Sequence, residues 1–185
     1  MIEIAISGRG GQGVVLASQI LAAAFFKNGM AVQSFPSFGA ERRGAPVSAY
    51  VRASHEEITQ RCGVYRADWI LFLDANLLAS GHLMQTLKKD GAILVNGSRL
   101  PEGFVGKGHP LYLVDAAAVA LRLGLGSAAF PIVNTAMTGA FAAASALVRL
   151  DAVMEAVREM APVEQEKNAQ AAEEAARLVR REGAL

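Results

Sequence analysis

Two short segments carry the residue types best able to do chemistry. The first is Gly8-Arg9-Gly10-Gly11-Gln12-Gly13, in which Gly8, Gly10 and Gly13 satisfy the spacing G-x-G-x-x-G. Glycines let the chain turn tightly and come close to a ligand, and the start of a following helix offers unpaired N–H groups to an anion. One reading is a dinucleotide site. Such a site requires an acidic residue roughly 20 positions on to hold the ribose hydroxyls, and Gln33 stands there, followed by Ser34. Arg42 and Arg43 could hold a 2′-phosphate instead, but they lie well past that strand end. A second reading is close helix–strand packing, which explains one or two glycines. It does not explain four glycines together with Arg9 and Gln12, so an anion- or cofactor-facing loop is favoured.

The second segment is Phe38-Gly39-Ala40-Glu41-Arg42-Arg43-Gly44-Ala45-Pro46. Adjacent arginines beside Glu41 suit a carboxylate or phosphate clamp, or an ion-pair network at an interface. A solvated turn is the plain alternative, with the flanking glycines and proline favouring a fixed loop shape. No nucleophile constellation accompanies these loops. Asp68 and Asp74 flank an apolar strand and serve equally as caps or as acids.

The elements that position these loops alternate. Ile2–Ile6 reads as a strand, about Val14 to Asn28 as a helix ended by Gly29, and Met30–Phe35 as a second strand. Val47–Ala53 alternates as a half-exposed strand that could pair antiparallel. Trp69–Leu73 is a fully apolar strand, Ala75–Lys89 reads as helix, Asp90-Gly91 as a turn, and Ala92–Asn96 and Leu111–Val114 as further strands. The last third reads as helices. Pro131–Leu150 is a buried helix, with Asn134 and Thr135 at its start to cap it or to offer hydrogen bonds to the loop crevice. Residues 164–181 form an exposed terminal helix. This order implies an α/β fold of three layers, α/β/α, with a mostly parallel sheet and one domain over 1–185. Both loops then lie at the C-terminal ends of strands, where α/β proteins bind ligands.

Composition narrows the function. A net charge of +1 gives no field for nucleic acid or anionic lipid. With 52% hydrophobic and 19% charged residues and no membrane-length apolar run, part of the surface is expected to be covered by partners. The single cysteine, Cys62, reads as a buried small apolar residue and cannot by itself hold an iron–sulfur cluster or zinc. His55, His82 and His109 are too scattered to add a ligand set. No secretory leader is evident, and one cysteine suits the cytoplasm.

The two loops, taken in order with Arg52, Ala67-Asp68, Asn134-Thr135-Ala136-Met137-Thr138-Gly139 and Glu166-Lys167-Asn168, resemble the gamma subunit, or gamma domain, of the pyruvate:ferredoxin oxidoreductase family. The resemblance runs to about residue 170. It implies a complex that converts 2-oxoacids to acyl-CoA with thiamine diphosphate, iron–sulfur clusters and coenzyme A, and passes electrons to ferredoxin. Thiamine diphosphate and the clusters then belong to alpha-, beta- and delta-type partners, and this chain alone binds no cofactor and has no complete active site. The second loop is more similar to pyruvate and branched-chain members, although Ala40 stands where a proline is frequent. On this resemblance Gly8, Arg9, Gly10, Gly11, Gln12, Gly13, Glu41, Arg42, Arg43, Asn134 and Thr135 border the coenzyme A and active-site entrance, with no metal site. Two other classes stay open: a stand-alone NAD(P)-dependent dehydrogenase, and a scaffold that touches no cofactor.

Overall fold

The structure is a computed structural model that describes residues 1–37, 45–80, 83–104, 106 and 108–182. Seven strands form one sheet in the order β2-β3-β1-β4-β5-β6-β7. They are β1 Ile2–Arg9, β2 Ala31–Ser37, β3 Pro46–Ser54, β4 Ala67–Phe72, β5 Leu87–Asn96, β6 Leu111–Val114 and β7 Arg180–Arg181. β1, β4, β5 and β6 are mutually parallel, β3 is antiparallel to both β1 and β2, and β7 closes the far edge antiparallel to β6. The expected α/β class with a mostly parallel sheet is the one observed.

Strand alternation divides the interior in two. Ile4, Ile6, Val51, Leu71 and Leu94 face one core, and Ala5, Ile70, Phe72, Ile93 and Val95 face the other. The first core receives the five α-helices of the described residues: α1 Val14–Lys27, α2 Ala116–Arg122, α3 Asn134–Ser145, α4 Leu150–Met160 and α5 Gln165–Leu178. The layer on the second face is built of 3-10 turns and irregular chain, through Leu77, Leu78, Leu83, Leu100 and Phe104.

Several local expectations change. Ala75–Lys89 is not a helix but two 3-10 turns, Ala75–Ser80 and Leu83–Thr86, followed directly by β5. Its second end is taken into the sheet, where Lys88 Nζ binds both oxygens of Asp68 at 2.8 Å. The long helix expected from Pro131 to Leu150 stops at Ser145, because Ala146 turns left-handed at φ 54° before α4. The terminal helix ends at Leu178 and hands Arg180–Arg181 to β7. It is not an exposed appendage. Ala169, Ala171, Ala172 and Ala175 are buried in the first core, and a Cβ on Gly139 of α3 would come within 2.0 Å of the Ala172 carbonyl oxygen. Only a glycine lets α3 and α5 approach so closely.

Cys62 is exposed, not buried. Its segment is held from beneath by Arg52, which is only 2% exposed. Arg52 Nε donates to Glu3 Oε1 at 2.9 Å, and its terminal nitrogens donate to the carbonyls of Cys62 and Gly63 at 2.8 Å each. Arg52 also reaches the Cys62 sulfur, Nη2 to Sγ at 3.9 Å, at the rim of the same groove. No helix among the described residues is long and apolar enough to cross a membrane.

Candidate functional site

β1 delivers its last residues to the C-terminal edge of the sheet, and the glycine loop turns there into α1. Two of its glycines are required by packing. A Cβ on Gly8 would meet Val14 Cγ2 at 2.7 Å and Leu73 Cβ at 3.1 Å. Gly13 adopts φ +75° beneath Asn134, where a Cβ would lie 2.3 Å from Nδ2. Gly11 differs: it is exposed, has φ +101°, and among the described residues has nothing within 4 Å of an added Cβ. The packing and ligand-facing readings therefore fall on different glycines.

Three loop amides are already used. Arg9 N donates to Gln12 Oε1 at 2.7 Å, Gln12 N to the Arg9 carbonyl at 3.0 Å, and Gly10 N to the Ala45 carbonyl at 3.0 Å. The Gly10 amide, expected to face an anion, instead ties this loop to the end of the second one. Gly11 and Gly13 donate to no partner among the described residues.

The Arg9 side chain crosses to the chain just past β4, where Nε donates to Asp74 Oδ2 at 2.5 Å. Burial pushes the Asp74 carboxyl upward. Hydrogen bonds from Arg9 and from the Asn76 N–H outweigh it and hold the carboxyl below its ordinary value. Asp74 Oδ1 also accepts from Asn76 N at 2.9 Å, capping the first 3-10 turn. Asp74 thus serves as cap and as ion-pair partner together.

These residues wall a cleft of about 430 Å³ lined by Arg9, Gly10, Gly11, Gln12, Asp74 and the segment Ala129-Phe130-Pro131. Phe130 is 70% exposed at its rim. The segment Ala129-Phe130-Pro131 is not among the residues singled out from the sequence. An aromatic, Phe130, directly before Pro131 and four residues ahead of Asn134, was the available signal.

Of the other expected site residues, Asn134 joins the loop by donating Nδ2 to the Gly13 carbonyl at 3.5 Å, while its Oδ1 accepts from Thr135 N at 2.9 Å. Thr135 does not reach the cleft. It is buried, and its hydroxyl donates to Asn168 Oδ1 at 2.9 Å. Asn168 in turn donates Nδ2 to the Val163 and Glu164 carbonyls at the start of α5, at 3.0 and 3.1 Å. Glu41, Arg42 and Arg43 lie outside the described residues. The flanks of their segment are placed: Ser37 pairs with Ser48, Ser48 with Ser7, and Pro46 with Arg9, so it leaves and re-enters at the glycine-loop edge.

The dinucleotide reading meets a topological obstacle. In that arrangement the second strand lies beside the first. Here β3 is inserted between β1 and β2, which moves the end of β2 about 10 Å from β1. Gln33 is also occupied, donating to the Gln60 carbonyl at 3.0 Å and accepting from Arg52 at 3.4 Å. Among the described residues no three His, Cys, Asp or Glu side chains gather as metal ligands.

The family model for pyruvate ferredoxin/flavodoxin oxidoreductase matches residues 3–178. The chain is 46% identical over 175 residues to the pyruvate synthase subunit PorC of Methanocaldococcus jannaschii, covering 94% of each. It is 46% identical over 181 residues to the pyruvate/ketoisovalerate oxidoreductases common subunit gamma of Thermococcus kodakarensis, covering 95% of each. The crystal structure of pyruvate oxidoreductase subunit PORC from Thermotoga maritima superposes with a TM-score of 0.82 at 31% identity, over 98% of both chains. The fold also recurs, at 19% identity and a TM-score of 0.77, within 30% of the chain of a 2-oxoglutarate:ferredoxin oxidoreductase from Magnetococcus marinus, solved with 2-oxoglutarate, coenzyme A and succinyl-CoA. The chain belongs to the pyruvate ferredoxin/flavodoxin oxidoreductase family, in its gamma-subunit form.

Proposed function

We propose that this gamma subunit works inside a multisubunit enzyme that oxidatively decarboxylates pyruvate or a branched-chain 2-oxoacid to acyl-CoA, and that its glycine-loop edge borders the coenzyme A entrance. Alpha-, beta- and delta-type partners carry thiamine diphosphate and the iron–sulfur clusters, ferredoxin takes the electrons, and the complex resides in the cytoplasm. Thiamine diphosphate supplies the carbanion chemistry of decarboxylation when bound. The residues of this chain do not fit that group or a cluster: there is one cysteine, and no set of metal ligands gathers among the described residues.

They do fit a phosphate-bearing ligand. The observation that carries this reading is the open cleft at Gly11, where the loop that leads into α1 runs beside an arginine already oriented by Asp74. Amides at a helix start and an oriented guanidinium both favour an anion. Asp74 fixes Nε and so sets the plane of the Arg9 fork. The segment that carries Arg42 and Arg43 in the sequence is followed by Ala45, whose carbonyl accepts from Gly10 N at this edge. Exposed Phe130 offers an apolar wall to a ring or a pantetheine arm.

The test is the complex assembled from this chain and the subunits encoded beside it, assayed for coenzyme A-dependent reduction of ferredoxin by 2-oxoacids. Arg9→Ala, and separately Arg42→Ala with Arg43→Ala, should raise the coenzyme A requirement about ten- to a hundredfold, the worth of a charge-assisted hydrogen bond. Lower yield of complex with unchanged coenzyme A dependence supports the scaffold reading instead. No change in either quantity rejects both.

A further inference from the structure

β2 is an outer strand, and its outward hydrogen-bonding groups can be identified. Ser7 offers its carbonyl to Leu73 N at 2.7 Å, so the odd residues of β1 point toward β4 and the even ones toward β3. The registers Ile4↔Val51 and Ile6↔Ala49 turn those residues of β3 toward β1, and leave Tyr50 and Arg52 to pair with Phe35 and Gln33. Val32, Ser34 and Pro36 therefore direct their backbone groups away from the sheet. The place of Pro36 agrees, because a proline in a strand belongs where the missing N–H would face outward. Among the described residues, nothing bonds to that edge.

An exposed edge is usually blunted by charges, by brevity or by a bulge. β2 runs seven residues, Ala-Val-Gln-Ser-Phe-Pro-Ser, with no charged side chain. Beside it lies a groove of about 660 Å³. Its far wall, residues 60–63, is fixed by Gln33 and Arg52 through the Gln60, Cys62 and Gly63 carbonyls. Among the described residues the lining contains Arg52 and Arg61 and no carboxylate. Arg52 is paired with Glu3, whereas Arg61 has no ion-pair partner among the described residues.

We propose that this edge receives an extended segment of a partner subunit, added as a strand outside β2 and carrying a carboxylate opposite Arg61. Strand addition takes its affinity from main-chain hydrogen bonds and its selectivity from side-chain pockets. The edge supplies the N–H groups of Val32 and Ser34 and the carbonyls of Val32, Ser34 and Pro36. A second copy of this chain would bring another Arg61 to the same groove, so charge favours an acidic segment from a different subunit. The inference rests on the proposed membership of a multisubunit complex.

Hydrogen–deuterium exchange of the full chain, alone and in the assembled complex, tests it. The Val32 and Ser34 amides should exchange rapidly in the lone chain and at least about tenfold more slowly in the complex. Ser34→Pro removes one outward N–H without touching the ladder to β3, and should weaken assembly about five- to tenfold. Ser34→Ala keeps that N–H, loses only the Oγ bond to Ser18, and should assemble normally. Arg61→Glu should weaken assembly, with a loss that diminishes in salt. A complex that forms with both amides still exchanging rapidly overturns this inference and leaves the proposed function standing, as does normal assembly of the folded Ser34→Pro variant. Concentration-dependent protection in the lone chain assigns the edge to a second copy and also overturns it. Failure of the wild-type chain to enter any complex rejects both.

Discussion

Gly13 and Asn134, 121 positions apart in sequence, are packed so closely that a Cβ on the glycine would lie 2.3 Å from the asparagine Nδ2. The contact locks the start of α1 onto the start of α3 and sets the direction in which the glycine loop faces. It also explains why two conspicuous motifs, far apart in the chain, belong to one place.

Replacing Gly13 by alanine imposes two costs: a side chain at φ +75°, and displacement of Asn134. Together they should destabilise the chain by about 3 kcal/mol, lowering the melting temperature by roughly 6–12 °C. Adding Asn134→Ala should recover only part of the loss, since the backbone strain remains. An unchanged melting temperature in the single variant would contradict the close approach.

Thr135→Val keeps the shape of the side chain and removes its hydroxyl. Asn168 Oδ1 then loses its donor in a buried site. The expected cost is about 1–3 kcal/mol by thermal or urea unfolding. The coenzyme A requirement of the assembled complex should not move. A shift there, with stability unaltered, would return Thr135 to the cleft.

Arg52→Met leaves Glu3 without its cation and the carbonyls of residues 62 and 63 without donors. Breaking a buried pair from one side costs about 3–5 kcal/mol. Tryptic cleavage after Arg61 in the native chain should accelerate in the variant. If cleavage and stability both match the wild type, Arg52 is not the anchor of that segment.

The Asp74 carboxyl, held below its ordinary value chiefly against burial by Arg9 and Asn76, carries a defined pH signature. A depressed folded-state value contributes stability above the unfolded carboxylate value, and that contribution disappears as pH falls through the lower folded one. The stability gap between wild type and Asp74→Asn should therefore be full near neutrality and close in acid, below about pH 4. Melting curves of both proteins from pH 7 to pH 3 measure it, and a gap independent of pH would reject the ion pair.

The local patterns of the chain were enough to specify most elements. Short apolar runs within Ile2–Ile6, Trp69–Phe72 and Leu111–Val114 form strands because such runs suit a sheet buried on both faces. α1 follows the glycines and ends where Gly29 turns left-handed at φ +79°. The glycine loop, the arginine segment and Asn134 could be singled out because their types are costly without a reason. Spatial neighbours, by contrast, were decided by the tertiary structure. β3 entered between β1 and β2, which no local pattern announces because a strand's partner is chosen by long-range pairing and core burial. Lys88 stands in a strand, paired with Asp68, where a helix was expected, and Cys62 is exposed while its carbonyl is held by Arg52. Gly8 and Gly13 proved to be packing glycines and Gly11 the open one. Three identical residues differ in role only through what stands opposite each among the described residues: Val14 and Leu73, Asn134, or nothing.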